Sequence, residues 1–145
     1  MLIRPYLYFN GSCREALEFY RDVFETEEPE ILTFADVPYN PDNAVSGEMR
    51  HYVMHAKLNV RGTDLLFSDA YAGAAFVEGN NIHLTIISED MSEVKALFNR
   101  LKEGGTVDME LQETFWSKCY GSLKDKYGIP WQLVYHEKRQ AEGST

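Results

Sequence analysis

The residue in this sequence that is best suited to chemistry is His83, which is followed by Thr85 and Ile87 in a β-rich run. Side chains alternate along a strand, so these three residues are expected to share one face of it. An unperturbed imidazole titrates near about pH 6.5, so His83 could act as a base or anchor a polar ligand. The alternative is a histidine that only makes hydrogen bonds within the fold. His83 is therefore a candidate catalytic residue and, with Thr85, a candidate for lining a ligand cavity.

Aromatic and imidazole side chains elsewhere extend this candidate set. Phe115 and Trp116 lie in a short polar-flanked segment, Trp131 lies in the last apolar run, and His55 lies in an earlier strand-like run. Aromatic side chains often form the walls of small-molecule pockets. Packing in the core is the alternative for the aromatic residues, and a surface or edge position is the alternative for His55.

Asp69 stands at the end of another strand-like run and is expected to cap the turn at Ala70 and Tyr71. A catalytic pair of His83 and Asp69 is a further possibility. The sequence contains no nucleophile elbow, phosphate-binding loop or paired-carboxylate spacing. If the protein is an enzyme, the residue types therefore make His83 the candidate catalytic residue.

Composition and charge exclude several classes of function. The chain has 145 residues, 44% of them hydrophobic, and a formal net charge of -9. An acidic chain of this kind is not expected to bind nucleic acid, and it favours neutral or cationic ligands. The two cysteines, Cys13 and Cys119, have no zinc-type spacing and are expected to be free thiols. The sequence lacks a signal peptide or a membrane span, which predicts a cytoplasmic protein with no membrane partner.

Two predicted amphipathic helices are related by a constant shift along the chain. Asp90 lies 78 positions after Ser12, and Glu93 lies 78 positions after Glu15. Each pair has the spacing of a capping box, in which the first side chain accepts a backbone N–H and the glutamate reaches back. The apolar faces match under the same shift, as Ala16, Phe19, Tyr20 and Val23 in the first helix and Val94, Leu97, Phe98 and Leu101 in the second.

Strand-like runs flank both helices in the same order. In the first half they are 3–9, 31–34, 53–60 and 65–68, and in the second they are 82–87, 107–111, 119–124 and 131–135. The last two runs of each half form a possible hairpin around Gly62 or Gly128, and these glycines are 66 positions apart. The first half therefore carries 12 extra residues, placed in a loop from Ala35 to His51. That loop is either a spacer or a lid over a ligand cavity.

The resulting element order is β-α-β-β-β, found twice. We predict an α+β fold in which two paired βαβββ modules form an open curled sheet around a central cavity. Module 1 covers about residues 1–75 and module 2 about residues 76–136 of a single domain, and 137–145 form a polar tail.

Four segments carry a resemblance to a known family. They are YLYFNGSCREALEFYRDVF, HAKLNVRGTDLLFSDA, HLTIISEDMSEVKALFNRLKEGGTVDMELQETFW and DKYGIPWQLVY. In these segments the chain resembles the PhnB-like branch of the glyoxalase/bleomycin-resistance/extradiol-dioxygenase superfamily, or vicinal oxygen chelate fold, and the resemblance covers about residues 3–136. Proteins of this branch have been labelled demethylubiquinone methyltransferase-like, but no Gly-rich loop follows the first predicted strand to bind S-adenosylmethionine.

The resemblance implies a homodimer and, for enzymes of the superfamily, one divalent metal held by the first and last strands of each module. The corresponding positions here are Pro5, Leu66, His83 and Gln132. Only His83 is a good ligand, Gln132 is a weak one, and the other two cannot ligate, whereas stable sites need about three protein donors. The sequence therefore predicts no metal and no other cofactor.

Three functions remain open. The first is a metal-free protein that binds an unidentified small molecule in a cavity lined by the candidate residues. The second is a lyase, isomerase or dioxygenase whose Zn, Fe, Mn or Ni ion is held by His83, Gln132 and further donors. The third is a dimeric scaffold without a ligand. The first is our prediction, and whether the protein is an enzyme is left open.

Overall fold

The computed structural model describes residues 1–38, 47–70 and 74–138, which belong to two compact units, Met1–Val77 and Glu78–Thr145. The N-terminal unit has the predicted order β-α-β-β-β. In the described part between its second and third strands lie the short 3₁₀ turns Phe34–Asp36 and Gly47–Met49. The elements are β1 (Tyr6–Phe9), α1 (Cys13–Phe24), β2 (Glu30–Thr33), β3 (Val53–Val60) and β4 (Thr63–Asp69).

The C-terminal unit repeats the order, as the sequence predicts. Its sheet and that of the N-terminal unit each have four strands, in the orders β5-β8-β7-β6 and β1-β4-β3-β2. In both sheets the first strand pairs parallel to the last, and the remaining neighbours are antiparallel. The elements are β5 (Leu84–Ser88), α2 (Met91–Leu101), β6 (Thr106–Gln112), β7 (Tyr120–Lys124) and β8 (Pro130–Tyr135).

The two predicted hairpins form, and each uses a different turn. Arg61 and Gly62 join β3 to β4 with φ values of 50° and 95°, the two positive values that a tight hairpin turn requires. The β7–β8 turn is longer and is organised by the buried carboxylate of Asp125. Its Oδ1 accepts the backbone N–H groups of Tyr127 and Ile129 at 2.8 and 3.1 Å.

Each helix covers one face of its own sheet. Helix α1 packs against β3 and β4, and α2 packs against β5 and β8. In the second unit, Gly121 of β7 leaves room for α2, because a Cβ there would lie 2.9 Å from the ring of Phe98 on that helix. The apolar residues that both helices bury agree with the predicted faces, apart from Phe19, which is half-buried. Among the described residues, no α-helix of the same unit packs on the opposite face of either sheet, which is the open face of that sheet.

The N-terminus of α1 is capped by Asp69 and not by Ser12, which corrects one expectation. Ser12 makes no side-chain capping bond, so the predicted capping box does not form. Instead, Asp69 Oδ1 accepts the N–H groups of Gly11 and Cys13 at 3.0 Å each, and its Oδ2 accepts the N–H of Val53 at 2.9 Å. Asp69 thus takes the N–H of the first helical residue from a neighbouring strand, in place of a cap from Ser12. The turn that Asp69 was expected to cap includes Tyr71, which lies outside the described residues, so that expectation stays a prediction.

The second helix begins as predicted. Asp90 Oδ1 accepts the N–H groups of Ser92 and Glu93 at 2.9 and 3.3 Å. The Glu93 carboxylate contacts the Ser88 hydroxyl, and that hydroxyl in turn accepts the Asp90 N–H at 3.0 Å. The capping box is thus completed through Ser88.

Part of the predicted loop from Ala35 to His51 lies outside the described residues, at 39–46. Its role as a spacer or lid stays a prediction. In the parts of the chain that are described, no helix is long and apolar enough to cross a membrane.

We predict that Asp69→Ala lowers the free energy of unfolding by about 3 kcal/mol, because it leaves three backbone N–H groups without their acceptor. Ser12→Ala should change it by less than about 0.5 kcal/mol, because Ser12 makes no capping bond. Urea denaturation of the two variants checks both values. A larger loss of unfolding free energy in Ser12→Ala than in Asp69→Ala would show that Ser12, and not Asp69, caps the helix.

Candidate functional site

His83, Thr85 and Ile87 share the open face of the C-terminal sheet, as the alternation predicts. Thr85 pairs with Gln132 of β8, and Gln132 pairs with Ser122 of β7. These residues are exposed or half-buried, whereas their neighbours along β7 and β8 are buried. The open face therefore carries a row of polar side chains that begins beside His83.

Both ring nitrogens of His83 make hydrogen bonds. Nε2 lies 2.8 Å from the carbonyl oxygen of Asn80, and Nδ1 lies 3.2 Å from the side-chain nitrogen of Gln132. A carbonyl oxygen only accepts, so the imidazole proton is on Nε2 and Nδ1 accepts from the Gln132 amide. Gln132 is thereby oriented by His83, and its amide oxygen remains as an acceptor on the open face.

The strand register corrects the equivalence between His83 and Pro5 by one residue. Leu66 pairs with Tyr6, and Gln132 pairs with Thr85, so Tyr6 corresponds to Thr85. The position that corresponds to His83 is therefore Arg4. The physical reason is one extra residue between strand and helix in the N-terminal unit, where three residues separate β1 from α1 and two separate β5 from α2.

The donor set on these positions does not fit a divalent metal ion. Arg4 pairs with Asp64 at 3.3 Å and, as a permanent cation, cannot be a ligand. Leu66 has no donor atom, and both nitrogens of His83 already have partners. Among the residues at 1–38, 47–70 and 74–138, no group of three or more His, Cys, Asp or Glu side chains could hold a metal ion.

Trp131 lies in the core and not on the open face. It is 3% exposed, and its indole N–H donates to Asp125 Oδ2 at 2.8 Å. Trp131 adjoins Gln132 in β8, so alternation places it on the helix-covered face. The core alternative considered from the sequence is therefore the one the structure has.

Phe115 and Trp116 form the tip of a turn between β6 and β7. The backbone N–H of Thr114 donates to the carbonyl oxygen of Ser117 at 2.8 Å, which closes the turn. Trp116 meets the ring of Tyr120 edge-on, with centroids 5.3 Å apart. Both tip residues are exposed, at 97% for Phe115 and 54% for Trp116.

His55 lies in the N-terminal unit, where it contacts Tyr6. The Tyr6 hydroxyl lies 2.9 Å from His55 Nδ1, and the ring of Tyr6 stacks on that of Tyr8 at 4.9 Å. His55 also lines a pocket of about 230 Å³ with Leu32 and Lys57. The sequence did not predict the partnership with Tyr6, although the alternation of both strands could have placed the two side chains on one face.

Asp69 and the cysteines are structural. Both carboxylate oxygens of Asp69 accept backbone N–H groups, and the residue is 2% exposed, which argues against a catalytic pair with His83. Cys13 and Cys119 are buried and free, in agreement with the sequence. Burial, and then the charge of Asp69, raise the pKa of Cys13, so its thiol is a poor nucleophile.

Ser117 is a buried residue that sequence analysis missed. Its hydroxyl lies 2.7 Å from the carbonyl oxygen of Tyr135 and 3.0 Å from that of Cys119, and it accepts the Cys119 N–H at 3.2 Å. It thereby fixes the aromatic turn to the end of β8. A lone serine in a polar segment carries no sequence signal for such a role.

Two open four-stranded sheets, each with one helix in the order β-α-β-β-β, define the glyoxalase/bleomycin-resistance/dioxygenase fold. The fosfomycin resistance protein FosX from Listeria monocytogenes shares it, with a TM-score of 0.63 over 99% of this chain and 95% of that one. At 14% identity, this likeness concerns the fold alone.

The chain belongs to the PhnB-like family described as 3-demethylubiquinone-9 3-methyltransferase, whose model matches residues 2–134. It is 31% identical to protein YjdN of Escherichia coli K12 over 92% of this chain and 94% of that protein. It is also similar to PA1353 of Pseudomonas aeruginosa (32% identity, TM-score 0.83, 95% of this chain and 99% of that one). The PhnB protein of Bacillus cereus is 28% identical, with a TM-score of 0.74 over 94% of this chain and all of that one.

The hydrogen bonds of His83 generate a spectroscopic prediction. For the neutral form of the His83 ring, long-range ¹H–¹⁵N NMR should find the proton on Nε2, with Nδ1 accepting. His51, which is exposed, is a reference residue in the same spectrum. A proton on Nδ1 of His83 would show that Gln132 does not donate to it and would remove the proposed orientation of the amide.

Proposed function

We propose that this protein binds a small organic molecule on the open face of the C-terminal sheet without a resident metal ion. The observation that carries the proposal is the His83–Gln132 pair. The histidine fixes the glutamine amide, and the amide oxygen is left as an acceptor beside the Thr85 hydroxyl. Pre-oriented polar groups of this kind give a binding site its specificity.

Apolar groups beside the polar row support a ligand with a mixed character. Ile87 pairs with Val134, and Val134 pairs with Tyr120. Ile87 is among the exposed large hydrophobic residues. A ligand that offers a hydroxyl or amide donor to Gln132 and an apolar body to Ile87 would satisfy both parts of this face.

The metal-free part of the proposal rests on donor chemistry. A metal ion would have to break a hydrogen bond of His83 to gain one imidazole, and Gln132 would add only a neutral amide oxygen. A metal-dependent lyase, isomerase or dioxygenase of the same superfamily remains the alternative. Methyl transfer is not proposed, because β1 leads into α1 through Asn10, Gly11 and Ser12, with no glycine-rich loop.

We also propose that the protein is a homodimer. Both units carry exposed large apolar side chains, with Tyr8 and Leu32 in the first and Ile87 and Met109 in the second. Exposed apolar groups on sheet faces are commonly covered by a second chain. The net charge of -9 keeps such a dimer from associating further.

A thermal-shift screen tests the binding proposal. A small molecule that combines a hydrogen-bond donor with an apolar body should raise the melting temperature in a concentration-dependent manner. His83→Ala and Gln132→Leu should each reduce the apparent affinity at least about tenfold, because each removes one member of the hydrogen-bonded pair.

His51→Ala is the matched control, because it removes an exposed imidazole of the N-terminal unit and should leave the shift unchanged. Two results would contradict the proposal. One is a ligand whose shift survives both site variants, and the other is a library with no ligand at all, which would favour the scaffold interpretation.

A further inference from the structure

A second pocket lies beyond the end of β6, and neither His83 nor Gln132 lines it. Its volume is about 430 Å³, within the range of small-molecule sites. The turn that carries Phe115 and Trp116 forms one side, and the chain that follows β8, with His136 and Glu137, forms another. This pocket is composed of residues that the proposed function does not use.

Three aromatic rings meet at this place. The Phe115 and Trp116 rings are edge-to-face, with centroids 4.8 Å apart and an angle of 85°. The Trp116 and Tyr120 rings are arranged similarly, at 5.3 Å and 71°. Edge-to-face stacking turns neighbouring ring faces in different directions, so the rings form a corner and not a flat patch. The face of an aromatic ring is its negative side, and it attracts cations.

The aromatic turn is held in place before any ligand arrives. Thr114 and Ser117 close it, through the backbone bond of 2.8 Å and a bond of 3.2 Å from the Ser117 N–H to the Thr114 hydroxyl. Ser117 then anchors it to Tyr135 at 2.7 Å. A turn fixed at both ends loses little conformational freedom on binding. Exposed rings on an anchored turn are therefore available at low entropic cost.

Charged groups around the rings favour a cationic ligand. Glu113 and Glu137 line the pocket together with one ammonium group, that of Lys118. Lys118 donates to Glu137 at 3.1 Å, so their charges compensate each other. The Glu113 carboxylate adds a further negative charge beside the rings, in a chain whose net charge is -9.

We propose that this pocket is a second binding site, for a small organic cation of the quaternary ammonium or alkylammonium class, held over Trp116 and Phe115 with Glu113 as the counter-ion. Weakly hydrated cations of this class are the ones that aromatic faces bind in preference to sodium or potassium. A purely apolar ligand would make no use of the Glu113 charge, and an anion would be repelled by it.

Choline and its neutral isostere 3,3-dimethylbutan-1-ol provide the test, because they differ in charge and hardly in shape. Each is titrated into the full chain at constant ionic strength, and the methyl proton resonances are followed by NMR. Choline should show an upfield shift from the ring currents and should bind at least about fivefold more tightly than the isostere. Equal binding of the two compounds would overturn the proposal, because the charge would then play no part.

Three variants locate the site. Trp116→Leu should remove the upfield shift, and Glu113→Gln should weaken choline at least about threefold while leaving the isostere unchanged. Tyr8→Leu is the matched control, because Tyr8 is 53% exposed against 54% for Trp116 and lies in the N-terminal unit. Trp116→Leu removes an exposed side chain, so its melting curve by circular dichroism should match that of the wild type. An upfield shift that persists in this variant would place the cation elsewhere.

His83→Ala separates this site from the proposed function. Choline binding should be unchanged in His83→Ala, because His83 does not line the pocket. Loss of choline binding in that variant would show that choline binds at the His83–Gln132 site. It would overturn the proposal of a separate site at Trp116. Failure of the choline titration would leave the His83–Gln132 proposal unaffected.

Discussion

One helix covers one face of each four-stranded sheet, and this packing determines which strand side chains enter the core and which remain on the open face. Because side chains alternate along a strand, Trp131 and Leu133 of β8 are buried on the side of α2, whereas Gln132 and Val134 are only half-buried on the other side. Trp131 and Leu133 complete the core, while Gln132 between them is presented on the open face. The same alternation in β1 separates the buried Phe9 from Tyr8. The residues available on the open face are therefore the sequence neighbours of core residues.

The open face of the C-terminal unit carries the hydrogen-bonded pair of His83 and Gln132. His83 lies between a carbonyl oxygen and an amide, and each of its nitrogens has a defined role. An imidazole held in this way orients Gln132 strongly, but a metal ion would have to displace one of its partners. The corresponding position of the first unit holds Arg4, paired with Asp64. The two units share one fold, while the positions compared with the family's ligands hold the hydrogen-bonded His83 and Gln132, the ion-paired Arg4 and the apolar Leu66.

Element order, both hairpins and the helix faces could be predicted because they follow from local patterns. The capping of α1 could not, because Asp69 reaches it from a strand more than 50 residues away in the chain. The predicted equivalence of Pro5 with His83 was wrong by one residue. It was taken from the shift between the two helices, and the shift between β1 and β5 differs from that by one residue. Alternation correctly placed His83 and Thr85 on one face of the sheet, but Trp131 is in the core because it adjoins Gln132 and points to the other face.

The central claim is that His83 serves a hydrogen-bonded binding face and not a metal ion. Elemental analysis of the protein, purified without chelator and then dialysed with Zn, Mn or Ni, tests it most directly. The account predicts well under about 0.2 metal ions per chain, with no difference between the wild type and His83→Ala, because the donors are too few. About one ion per chain in the wild type, lost in His83→Ala, would contradict it and restore the metal-dependent enzyme.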